Sequence, residues 1–103
     1  MLQAARTVLD FVSEASLAEY LEDAKLRSAV ERQIEIIGEA ARRLSDAVRD
    51  AHPEIPWQRI IAQRNVLIHD YGEIDHQRIW NLVAEYIPRL IEQLEPLVPA
   101  PPE

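Results

Sequence analysis

The sequence predicts an all-α fold, an up-and-down bundle with short connections, from three observations. Apolar residues recur at helical spacing along most of the chain, and no stretch alternates apolar with polar residues as a half-buried strand does. Only 2 glycines occur in 103 residues, of which 48% are hydrophobic and 28% charged, a balance that suits a compact helical protein better than a loop-rich or disordered one. The length fits one small domain, placed at residues 1–95, with a proline-rich tail at 96–103.

The first helix begins almost at Met1 and carries Leu2, Ala5, Leu9 and Val12 on one stripe, with Val8 and Phe11 beside them. So abrupt a start looks cut short. Ser16-Leu17-Ala18-Glu19 has the form of a capping box, in which serine and glutamate satisfy each other's free backbone donors, so a short helical turn starts there. From about Asp23 a long central helix sets Leu26, Ala29, Val30, Gln33, Ile34, Ile37, Ala40, Ala41 and Leu44 on one stripe. Gly38 inside it costs up to about 1 kcal/mol relative to alanine, which points to close approach by another helix; a merely tolerated glycine is the alternative.

Ser45 caps a short segment that His52-Pro53 ends, because the residue before proline is pushed out of helical geometry. Pro56 opens the next helix, with Trp57, Ile60, Ile61, Arg64, Leu67 and Ile68 on its stripe and Gly72 as its stop. Asp75 caps a last helix carrying Ile79, Leu82, Val83, Tyr86, Ile87, Leu90, Leu94 and Leu97, which Pro88 should kink or divide. The ending "PLVPAPPE" does not continue a helix and reads as an extended or disordered tail.

With no cysteine, the chain has no disulfide, thiolate metal site or cysteine nucleophile, and the expected compartment is the cytoplasm. No apolar run approaches the roughly 20 residues of a membrane span, and no secretory signal pattern follows Met1. A net charge of −7 argues against a broad grip on RNA or DNA, yet leaves room for a local cationic site. No phosphate-binding glycine loop, zinc-protease motif or serine triad is present, and the spacing of His52, His69 and His76 supports no metal site, so no metal and no cofactor are expected.

One stretch breaks the apolar pattern: "QRNVLIHDYGEID" places Arg64, Asn65, His69, Asp70 and Tyr71 where core filling would need leucines. An always-charged guanidinium and a side chain that titrates near neutrality are together suited to phosphodiester chemistry. Positions five apart on a straight helix diverge by about 140°, so either the helix ends near His69 or each group works with a neighbouring chain. The plainer reading has Arg64 bridging an acidic residue while His69 and Asp70 finish the helix.

"RNVLIHDY" matches the Arg-x4-His-x-Tyr signature of HEPN proteins, and its setting resembles the HepT branch, toxins of bacterial and archaeal toxin–antitoxin pairs. "VERQIEIIGEAARRL", "PEIPWQRIIAQRNVLIHDY" and "IWNLVAEYIPRL" resemble HepT-like sequences in the same order, so the likeness covers most of Ala24 to Leu94. It implies a HEPN four- or five-helix bundle, a homodimer with two motifs facing a shared cleft, and metal-independent cleavage of RNA; attack by the RNA 2′-hydroxyl, the chemistry that fits Arg64 and His69, would leave DNA intact. It also implies a type VII-like pairing with a minimal nucleotidyltransferase antitoxin that in some systems attaches AMP to the motif tyrosine. By position, Arg64 and His69 would be catalytic, Asn65 would position substrate and Tyr71 would be modified. HepT-like chains commonly have more residues before the first helix than Met1 leaves here. The rivals are a non-catalytic helical module that binds a nucleotidyltransferase, and a plain structural helical dimer.

Overall fold

The computed structural model describes residues 1–69 and 74–97, with residues 68 and 69 by backbone alone. The described residues are all-helical, in keeping with a HEPN-like bundle: α1 (Leu2–Val12), α2 (Leu17–Glu22), α3 (Ala24–Arg43), α4 (Asp46–Ala51), α5 (Trp57–His69), α6 (His76–Glu85) and α7 (Ile87–Leu94), closed by a 3₁₀ turn at Glu95–Leu97. Four long elements result when α6 and α7 are taken as one divided helix, with α2 and α4 as short connectors. No described helix is long and apolar enough to cross a membrane.

Local chemistry sets the helix starts. Ser16 accepts from the Glu19 N–H while the Glu19 carboxylate accepts from the Ser16 N–H, the reciprocal cap expected from sequence. Asp23, Ser45 and Asp75 each accept from the backbone N–H three residues on, starting α3, α4 and α6. Pro56 lies just before α5 and its carbonyl accepts from the Arg59 and Ile60 N–H groups. The last helix is divided as Pro88 requires, with Tyr86 ending α6 and preceding α7, and its stripe stops at Leu94: Leu97, expected on it, is exposed in the 3₁₀ turn. The expected stop at Gly72 falls outside the described residues.

Helix α3 lies at the centre, packed most extensively on α5 and α1, while α7 also packs on α1 and α6 on α2. Val8, Tyr20, Val30, Leu67, Val83 and Leu90 are almost wholly buried in one core. On α1 the buried stripe is Ala4, Ala5 and Val8, with Leu2, Leu9 and Val12 only partly buried and Phe11 exposed. The buried face is therefore turned from the expected one toward small residues, which suit a helix that touches both α3 and α7. At the other end, the Trp57 indole N–H donates to the carbonyls of Arg49 (3.2 Å) and His52 (3.0 Å), tying the end of α4 to the start of α5.

Candidate active site on the α3–α5 contact

Arg64 occupies the middle of the inward stripe of α5, one turn from the buried Ile60 and three residues from the buried Leu67. Its position depends on Gly38. A Cβ placed on Gly38 would overlap the Arg64 Cβ and lie 3.0 Å from the Arg64 Cγ and 3.1 Å from the Ile60 carbonyl oxygen. Only glycine lets α3 and α5 approach this closely, which decides the question the sequence left open.

The contact turns the Arg64 guanidinium along α3 to Glu39. Arg64 Nη2 lies 3.0 Å from Glu39 Oε2, and Arg64 Nη1 donates to Asn65 Oδ1 at 3.1 Å. The other carboxylate oxygen, Oε1, accepts from Arg43 Nε at 3.1 Å and Arg42 Nη2 at 3.3 Å. Three guanidinium groups thus meet one carboxylate, leaving a local excess of positive charge on a chain of net charge −7. Hydrogen bonding from Arg42, helped by Arg43 and by the charges of Arg42 and Arg64, holds the Glu39 carboxyl below its usual range despite some desolvation.

The side chains of Arg64 and Glu39 are 22% and 27% exposed, so the pair is neither sealed in the core nor fully bathed in solvent. Beside it lies an open recess of about 310 Å³ bounded by Arg32, Glu35, Arg43 and Arg64. That size is at the lower end of ligand sites, which run to roughly 300–1,000 Å³. A phosphate oxygen entering here meets guanidinium N–H donors held by a carboxylate and not by flexible chain alone.

Asn65 is exposed beside Arg64 and is its hydrogen-bond acceptor, so two of the four sequence-derived site residues are in contact. His69 is the last described residue of α5. Tyr71, with Asp70, lies outside the described residues. Sequence reasoning did not single out Glu39, although its spacing to Arg42 and Arg43, three and four residues on, is that of helical ion pairs. Of the other histidines, His52 sits 3.5 Å from Glu54 and His76 3.7 Å from Glu31, on separate elements from this cluster.

The family model for ribonuclease HepT-like proteins matches residues 1–97. The chain belongs to the HepT-like family. It is 35% identical over 95 residues to a Methanocaldococcus jannaschii protein named "Putative RNase", spanning 92% of this chain and 87% of that one. It is 37% identical over 95 residues to the "Probable ribonuclease HepT" of Thermococcus cleftensis, spanning 92% and 86%. A "Putative RNase" of Caldanaerobacter subterraneus is 32% identical over 98 residues, 95% of this chain and 88% of its own. No solved structure matches the chain. The HepT-like match includes α3, α5 and the stretch from Arg64 to Tyr71, so the ion-pair cluster lies inside the family's domain.

Proposed function

We propose that this HepT-like protein is a metal-independent ribonuclease and the toxin of a type VII-like toxin–antitoxin pair, acting on RNA in the cytoplasm. The observation that carries this reading is the placement of Arg64: a cation built into an inward helix stripe, seated against Gly38 and held at its edge by Glu39, within a chain whose relatives are named as ribonucleases. In the reaction, the RNA 2′-oxygen attacks the adjacent phosphorus and the bond to the 5′-oxygen breaks. His69 in neutral form takes the 2′-hydroxyl proton, and the protonated His69 of a second copy gives a proton to the leaving 5′-oxygen. Arg64 stabilises the charge that builds on the phosphoryl oxygens, and Asn65 positions the substrate. The products are a 2′,3′-cyclic phosphate and a 5′-hydroxyl.

A homodimer supplies the two imidazoles, since one His69 cannot be acid and base in the same step. A minimal nucleotidyltransferase is the antitoxin: the Tyr71 phenolate oxygen attacks the α-phosphorus of ATP, pyrophosphate leaves, and the AMP added blocks the approach of an RNA phosphate by charge and bulk. Incubation with the cognate nucleotidyltransferase and ATP is expected to add the mass of one AMP to the chain and none to Tyr71→Phe. The same adduct on Tyr71→Phe would remove Tyr71 from this account.

The direct test uses a single-stranded RNA oligonucleotide in excess EDTA. Cleavage to cyclic-phosphate ends, with DNA and 2′-O-methyl RNA of the same sequence left intact, is the expected result. Equal cleavage of the 2′-O-methyl strand would rule out the 2′-hydroxyl as nucleophile. The Arg64–Glu39 pair is also what a helical module without catalysis would use to fix its fold; that reading predicts no cleavage of any strand and retained binding to the nucleotidyltransferase.

A further inference from the structure

We infer that Glu39 is the positioning residue of the Arg64 site: it fixes the direction of the guanidinium, while Arg42 and Arg43 fix Glu39 and keep the site net positive. The inference rests on the ribonuclease reading of Arg64 and adds a residue outside the Arg-x4-His-x-Tyr string. Three features of the contact lead to it.

First, the two oxygens of the carboxylate are divided. Oε1 takes both hydrogen bonds from Arg42 and Arg43, one turn further along the same helix, and Oε2 faces Arg64 across the helix contact. These bonds, from side chains 58% and 78% exposed, bias the carboxylate toward the rotamer that turns Oε2 to Arg64. Second, the Arg64 side chain leaves α5 at the point where α3 comes too near for a Cβ on Gly38, so its Cβ and Cγ lie against α3 and its far end against Glu39. Third, the Arg64–Glu39 approach at 3.0 Å is not an aligned hydrogen bond, and Glu39 Oε2 is enclosed without an aligned donor among the described residues. The guanidinium is therefore oriented by charge and keeps donors for an incoming phosphate oxygen.

A bare carboxylate beside a phosphate site would repel substrate. Here the surplus of arginines offsets that repulsion, which separates a positioning role from a competing one. Misplacing a group by about 1 Å costs on the order of 100-fold in rate, so loss of Glu39 is expected to act on turnover far more than on substrate affinity.

Glu39→Gln keeps the shape and removes the charge. With a single-stranded RNA oligonucleotide we expect kcat to fall roughly 10- to 100-fold with KM within about twofold of wild type, and far-ultraviolet circular dichroism unchanged. The Arg64 Nε–H resonance, assigned through Arg64→Lys, is expected to shift and exchange faster with water in Glu39→Gln. Unchanged kcat, a lower KM with higher kcat, or a raised KM alone would each overturn the positioning role. So would an unmoved Arg64 resonance, a readout that holds even if the wild-type protein cleaves no RNA. Wild-type activity in Arg64→Ala would instead overturn the catalytic reading of Arg64, which keeps the two failures apart.

Discussion

The two faces of α5 differ in how tightly they are held. Toward α3, the backbones approach until a single methyl group on Gly38 has no room, and an arginine replaces a core side chain there. Toward α6 and α7, the helix borders an open groove of about 310 Å³, floored by Ile34, Ile37, Ile60 and Leu90 and edged by the exposed Arg59 and Arg78. Both faces carry arginine, but among the described residues the first alone pairs it with a carboxylate. Preorganised charge needs a rigid frame, and the glycine contact provides one where the groove does not.

The largest effect on this contrast should come from filling the tight face. Gly38→Ala gains up to about 1 kcal/mol of helix propensity, yet overpacking at a contact of this kind costs roughly 1–3 kcal/mol, so a net loss of stability is expected. Ala62→Leu, on the exposed side of the same helix, should change stability by no more than about 0.5 kcal/mol. Urea denaturation of both variants compares the faces directly; equal midpoints would mean that α3 and α5 separate without cost.

A smaller, pH-dependent effect is expected at Glu39. Its folded-state pKa lies below its ordinary value of 4.5, so the stability it contributes is present above that pH and lost as pH falls through the lower folded value. The gap in melting temperature between wild type and Glu39→Gln should therefore narrow on acidification below about pH 4.5 and stay constant above it. A gap that widens on acidification would give the shift the opposite sign.

The opposite trend is expected at Glu31, whose carboxyl is pushed up by burial and only partly relieved by His76 and Arg27. There the folded state holds its proton to higher pH than the unfolded chain, so wild-type stability falls as pH rises through the raised value. Glu31→Gln should lose ground to wild type at low pH and gain on it toward neutrality. Parallel thermal melts from pH 4 to 8 would read the crossover, and parallel curves would exclude it.

The parts of the fold legible in sequence were those set by neighbours along the chain. The Ser16 box, the caps at Ser45 and Asp75, and the division at Pro88 each depend on residues within four positions. The stripe of α1 was legible only roughly, because burial of Ala4 in preference to Phe11 depends on where α3 and α7 lie. Of the site, Arg64 and Asn65 stood out as polar groups in an apolar pattern. Glu39 did not, since its value comes from a partner twenty-five positions away, brought within 3.0 Å by a glycine whose purpose spacing alone left undecided.

The most direct test of the central claim, that the clamped Arg64 with His69 cleaves RNA, is the cleavage rate of one RNA oligonucleotide by wild type, Arg64→Ala and His69→Ala at equal helical content. Each substitution is expected to abolish measurable cleavage while circular dichroism stays that of the wild type. Cleavage at the wild-type rate by either folded variant would contradict the account.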